Sequence, residues 1–358
     1  MRRTPTSTFV VAVAAALLCG LVVQVSQARA LGGWSALLAV GESSPVRPLI
    51  SEELSNLVVV DRGGHDGQAT FAVGLDPWLR EPVTLLDEPS YRYRRILLPM
   101  VASAFGLIDG RGLLFSLLAV NVLGFAATAL GTVMIGQLRR QSGWVLLGAV
   151  LNVGLWLSLQ ITSPDVLAMG LATMGLALAL RAQHVPAVLL LAAGALAKEV
   201  YLLVPIAIAA WLWFDRHNRK AAVAYLLPIL PLAAWSAFLA IRLEENAATG
   251  VALDWPLLGL LKAGTAFWVT VDWRDLVFTI LSLAIVAVAV FATARSANSL
   301  WRYLILPWIF LALVSSHWVW DFGNNSLRVV APLLTFAILC LADKRPTQAK
   351  SSLKNLPV

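Results

Sequence analysis

The chain has 358 residues, 59% of them hydrophobic and only 13% charged, with a mean hydropathy of +0.78. A soluble domain of this length carries about 25% charged residues, so the composition excludes an ordinary water-soluble enzyme and calls for many lipid-facing helices rather than one anchor. The net charge of +7 is scattered in short runs between apolar stretches, which argues against a nucleic-acid-binding patch and marks membrane topology instead.

In chain order, Arg2 and Arg3 precede an apolar run at 9–25 that ends in Ala28-Arg29-Ala30. This reads either as a retained first helix or as a signal peptide with a cleavage site. The run is long for a signal-peptide core, which favours the helix, and both readings place residue 31 outside the cytoplasm. The loop 26–111 follows, rich in charge and punctuated by Gly and Pro. Its densest polar stretch is Asp61-Arg62-Gly63-Gly64-His65-Asp66-Gly67-Gln68. Glycines flanking His65-Asp66 permit a tight turn and close approach of a ligand, and an aspartate held there can accept a proton from a hydroxyl; a solvated turn is the plain alternative. Next comes Tyr91-Arg92-Tyr93-Arg94-Arg95, whose guanidinium groups at headgroup depth suit phosphate, either of ordinary lipid or of a lipid-linked substrate. The apolar segment 96–108 is too short to span and is expected to lie in the outer interface.

Apolar stretches at 8–25, 112–137, 144–160, 166–180, 186–197, 199–214, 221–241, 276–293, 303–316 and 329–342 predict about ten spans in an all-α polytopic bundle. With Arg2 and Arg3 inside, 14 of the 27 basic residues fall on short inner connections, against only Asp215 and Asp343 among the acids. The positive-inside rule therefore puts both termini, including the tail 343–358, in the cytoplasm. Ser163-Pro164-Asp165 joins two spans on the outer side, where Asp165 reads as a helix cap or a site residue. Lys198-Glu199 interrupts an apolar run; ionisable residues at that depth are paired or functional, and mutual pairing is the simple option. The second outer loop, 242–275, carries Trp255, Trp268 and Trp273, and the third runs from His317 to Arg328. Clustered tryptophan suits either the membrane interface or stacking on a sugar. Asn324 heads a nominal glycosylation sequon. Cys19 and Cys340 read as small buried hydrophobes, and four scattered histidines offer no metal-ligand spacing. There is no P-loop, dinucleotide fingerprint or serine elbow.

Taken together these landmarks resemble the GT-C superfamily of membrane glycosyltransferases, closest to bacterial multispanning proteins of cell-surface glycopolymer formation. The likeness rests on Gly64-His65-Asp66-Gly67-Gln68 and Tyr91-Arg92-Tyr93-Arg94-Arg95-Ile96-Leu97-Leu98-Pro99, with Asp165 and Ala197-Lys198-Glu199 at later outer junctions. It covers most of 55–215 and fades afterwards apart from Arg328. His65 replaces the usual aromatic, and Ala69-Thr70 stand where aromatics are more usual. The resemblance implies a single integral domain, 1–358, in the plasma (inner) membrane, which transfers a sugar with inversion from a polyprenyl-phosphate donor to a glycan or lipid acceptor outside the cytoplasm. Asp66 is then the expected base. Asp165 orients the acceptor, or helps hold a divalent cation such as Mg or Mn that the sequence does not itself require. His65, Gln68, Arg92, Arg94, Arg95, Lys198, Glu199 and Arg328 are the expected substrate contacts. Two other readings are a non-catalytic partner in polysaccharide assembly and a transporter or flippase.

Overall fold

The computed structural model describes residues 5–60, 64–79, 85–106, 109–141, 143–243, 253–267, 273–321 and 323–343. Arg2, Arg3, Asp61 to Gly63, Trp268 and the expected tail beyond Asp343 lie outside the described residues. The helices are α1 (Pro5–Leu31), α2 (Arg47–Glu53), α3 (Asp66–Leu75), α4 (Pro89–Arg94), α5 (Leu97–Phe105), α6 (Gly110–Leu138), α7 (Leu147–Val150), α8 (Val153–Gln160) and α9 (Asp165–Leu180). They continue as α10 (His184–Ala197), α11 (Leu203–Phe214), α12 (Arg219–Ala224), α13 (Ile229–Arg242), α14 (Leu258–Phe267), α15 (Trp273–Arg295), α16 (Ser299–Val314), α17 (His317–Trp320) and α18 (Gly323–Ala342). The all-α expectation meets one small exception: strands β1 (Val40–Gly41) and β2 (Val59–Val60) pair in parallel, Val40 opposite Val59.

Among the described residues, five helical stretches are long and apolar enough to cross a membrane: Ser7–Leu31, Gly110–Leu138, Arg219–Arg242, Trp273–Arg295 and Asn324–Ala342; the third, the expected run 221–241, is α12 and α13 joined by a turn at 225–228. Asp165–Leu180, His184–Ala197, Glu199–Phe214 and Ser299–Val314 are apolar but shorter. The expected run 144–160 is not one helix. A 3-10 turn, Gly143–Leu146, leads into α7, and the chain breaks before α8. Buried Asn152 holds the break: its Oδ1 accepts the Leu155 amide at 3.3 Å, and its Nδ2 donates to the Ala331 carbonyl at 2.8 Å and Thr335 Oγ1 at 3.1 Å. A carboxamide with those partners satisfies the backbone that a mid-bundle break would otherwise leave bare.

Helices α6 and α9 pack backbone to backbone because glycines face each other. A Cβ on Gly124 would lie 2.7 Å from the Leu167 Cα, and one on Gly170 would lie 2.3 Å from the Gly124 carbonyl oxygen. Small residues allow this approach where lipid supplies no hydrophobic drive. Gly170→Ala is therefore expected to destabilise the protein by about 1–3 kcal/mol, read as a lowered melting temperature in detergent; an unchanged melt would show that α6 and α9 are not held this closely.

Two apolar cores result. The larger is centred on Phe125, Leu176, Trp301 and Phe336 within the bundle. The second, with Leu37, Phe71, Tyr93 and Leu117, ties the first long loop to the N-terminal half of α6. The loop is thus a folded cap and not a free connection. Its helix α5 has nine residues, too few to cross a bilayer, and buries Leu98, Pro99 and Ala102 against the cap and α6. Trp255, Trp273 and Trp318 are exposed, as interfacial residues would be.

Candidate active site

The cap sets α3 with its first turn against the start of α9, and the glycines flanking His65-Asp66 explain how. Gly64 has φ +80°, a conformation that favours glycine. A Cβ on Gly67 would come within 2.5 Å of the Ile161 carbonyl oxygen and 2.7 Å of that of Leu38. Asp66 is consequently pressed, as the first residue of α3, beside Ser163 and Asp165 at the start of α9. Both carboxylates sit at helix N-termini, where the backbone dipole favours negative charge.

Four segments converge there. Arg328, in the second turn of α18, places one Nη2 on the Asp66 carboxylate, 2.7 Å from Asp165 Oδ2 and 2.6 Å from Ser163 Oγ. The other Asp66 oxygen accepts from Arg92 Nη1 at 2.8 Å, and Arg92 is forked onto Asp87 at 2.6 and 3.1 Å. Asp165 Oδ1 is held by the Lys198 ammonium, and its Oδ2 accepts from Ser163 Oγ at 2.5 Å. Arg95 grips both Glu199 oxygens, at 3.2 and 3.1 Å, and lies over the Tyr91 ring with its guanidinium carbon 4.2 Å from the ring centre. Such pairs require good geometry to offset the desolvation of both charges, and here every oxygen of Asp66, Asp165 and Glu199 has a partner.

Burial alone would raise the Asp66 carboxyl, but the charges of Arg328, Arg92, Arg95 and Lys198 outweigh it and hold Asp66 well below the usual carboxylate range. Burial and Arg328 push the neighbouring His65 imidazole down, against the opposing pull of Asp66, so that it is neutral near pH 7. Among the described residues the cluster sets four basic side chains, Arg92, Arg95, Lys198 and Arg328, against three part-buried or buried carboxylates. The fourth acid, Asp87, has a side chain 66% exposed. Arg328 Nε is buried without an acceptor. A small crevice opens onto the cluster, lined by Asp66, Thr70, Arg92, Arg95, Pro99 and Pro164.

Several sequence expectations are corrected in detail. Asp165 makes no capping hydrogen bond; Pro164 occupies the cap position, and the carboxylate turns to Lys198, Arg328 and Ser163. Lys198 and Glu199 do not pair with each other. The extended backbone at Lys198 between α10 and the following 3-10 turn sends them to different partners, Asp165 and Arg95. Gln68 faces the scaffold: its Oε1 accepts the Gly41 amide at 3.1 Å and locks β1 to α3. Arg94 is half-buried and, among the described residues, joins no ion pair or hydrogen bond of the cluster, because it sits on the opposite side of α4 from Arg92. Ser163, Asp87 and Tyr201, whose hydroxyl donates to the Asp165 carbonyl at 3.3 Å, were not expected in these roles. Only their nearness in sequence to Asp165, the Tyr-Arg stretch and Glu199 hinted at them.

The fold and site thus define a helical bundle of membrane-spanning composition with a folded cap and a buried ionic cluster at one end. No protein-family model, curated protein or solved structure matches the chain.

Proposed function

We propose that this chain is an inverting glycosyltransferase of the GT-C type, transferring a sugar from a polyprenyl-phosphate donor to a cell-surface glycan or lipid acceptor at the extracytoplasmic face of the plasma membrane. The observation that carries this reading is Asp66, fixed at a helix start among four cations gathered from the cap, α10 and α18, at the rim of a crevice. Ionisable clusters within apolar bundles are costly and mark function. On this reading the five long helices, the four shorter ones and the broken 143–160 segment are the roughly ten spans, the cap is extracytoplasmic, and both termini are cytoplasmic.

Asp66 takes the proton of the acceptor hydroxyl as that oxygen bonds to the anomeric carbon from the side opposite the phosphate. The bond from the anomeric carbon to the phosphate oxygen breaks, and its electron pair leaves on the polyprenyl phosphate. Arg92, Arg95, Lys198 and Arg328 stabilise that charge, the unpartnered Arg328 Nε offering one more donor. A guanidinium drawn onto the phosphate relaxes its hold on Asp66, so that donor binding strengthens the base. The carboxylates that would hold a divalent cation, Asp66 and Asp165, have their oxygens engaged by the protein's own cations, and the residues suit a lipid phosphate better than a metal ion. The reading of the chain as a non-catalytic assembly partner draws on the same self-satisfied pairing of Asp66.

Membranes containing the chain are expected to transfer radiolabelled sugar from a polyprenyl-phosphate sugar to endogenous acceptor; no transfer from any such donor would support the non-catalytic partner instead. Topology is tested separately. Trp78 is exposed in the cap, so Trp78→Cys, in a background lacking Cys19 and Cys340, is expected to react with an impermeant maleimide in intact cells. Labelling only after lysis would place the cluster in the cytoplasm and remove the proposed chemistry.

A further inference from the structure

His65 and Asp66 are consecutive, yet they open onto different recesses. Asp66 borders the crevice of Arg92 and Arg95. His65 borders a larger cleft of about 210 Å³ between the end of α1, the turn before β1, the end of α8 and the start of α18. Four hydrogen-bonding side chains meet there from four segments: Gln27, His65, Gln160 and Asn324. Each is only partly buried, and among the described residues none of the four side chains makes a hydrogen bond or salt bridge, although His65 feels the nearby charges of Arg328 and Asp66. Leu31 and Leu157 supply an apolar wall. No described residue of this lining is an acid, a lysine or an arginine.

That chemistry differs from the neighbouring crevice. Carboxamides and a neutral imidazole each offer a donor and an acceptor, which matches hydroxyl groups and gives no reason to attract phosphate or carboxylate. A mostly neutral cleft with a few convergent polar groups on an apolar wall is what a small polar ligand needs for orientation. A volume of 210 Å³ is roughly seven water volumes, room for one ring of a larger molecule.

We propose that this cleft binds a neutral, hydroxyl-bearing sugar residue of the acceptor, through Gln27, Gln160 and Asn324, and that His65 guides its free hydroxyl toward Asp66. The division of labour rests on the glycosyltransferase reading: anionic donor on the Arg92–Arg95 side, neutral acceptor on the His65 side.

The test uses the full chain in lipid nanodiscs and two probe sets: a panel of neutral methyl hexosides and pentosides, observed by saturation-transfer NMR, and farnesyl phosphate, observed by calorimetry. At least one glycoside is expected to bind saturably, and Gln27→Leu with Gln160→Leu to abolish that binding while farnesyl phosphate binds as before. Asn324→Ala, a change at a partly exposed side chain, is expected to weaken the glycoside at least tenfold should the double variant not fold. Arg92→Gln is expected to do the reverse, losing farnesyl phosphate and keeping the glycoside. No saturable glycoside binding up to the solubility limit, or binding untouched by these substitutions, overturns the cleft assignment even where farnesyl phosphate binds normally. Failure of farnesyl phosphate to bind the unaltered chain would instead strike the underlying donor reading.

Discussion

Asp66→Asn is expected to lower sugar transfer by about 10²–10⁴-fold, the range that a positioned general base contributes, while the protein still folds and reaches the membrane. The two side chains have the same size, and the surrounding cations keep other partners: Arg328 retains Asp165 and Ser163, and Arg92 retains Asp87. What is lost is the proton acceptor. Turnover at fixed donor and acceptor, with protein level and melting temperature measured alongside, separates chemistry from folding. Undiminished transfer by the Asn variant would remove Asp66 from the mechanism and, with it, the assignment of the crevice as a reaction centre.

Arg328→Met is expected to cost about 3 kcal/mol of stability in detergent, the low end of what breaking a buried ion pair costs. Among the described residues Arg328 is the cation that forms ion pairs with both Asp66 and Asp165, so its removal leaves two carboxylates facing each other with only the Ser163 hydroxyl between them. Arg92 and Lys198 remain, which keeps the loss from being larger. Arg328→Lys, with one compact charge in place of a fork, is expected to lie between. The pH dependence gives an independent reading. Asp66 has its pKa depressed in the fold, so its contribution is present above the usual carboxylate range and is lost only as pH falls through its lowered folded value. In the Met variant Asp66 titrates higher, and protonation relieves its burial as pH drops. The gap in melting temperature between the two proteins is therefore expected to narrow on acidification. A gap constant with pH would mean that Arg328 acts through packing and not through charge.

How much of the site was legible differs residue by residue. Asp66 stands out because two glycines flank it within three positions, and only close backbone approach explains the second of them. The Tyr91 to Arg95 stretch stands out because it sets three arginines within four positions directly before an apolar segment. Lys198-Glu199 stands out against the apolar run that it interrupts. None of these signals carries partner information. A lysine beside a glutamate reads as a pair until the backbone turn between α10 and the next segment points them apart. Arg94 reads like Arg92 until α4 forms and turns it away. The carboxamides Gln27 and Gln160 lie at the ends of apolar helices, where a polar residue needs no explanation, and nothing local connects them across more than a hundred positions.

The sequence alone determined that the chain is built of apolar helices with its charge concentrated in the connections and near helix ends, because the cost of burying charge in lipid is a property of composition and spacing. The approximate extent of most apolar helices, the short α5 and the positions of the ionisable residues followed from the same constraint. Which acid meets which base, the break held by Asn152, and the separate recesses lined by His65 and by Asp66 were decided by tertiary structure. Those contacts join residues as far apart as Asp66 and Arg328, and hydrogen-bond geometry between distant segments exists only once packing has set them a few ångströms apart.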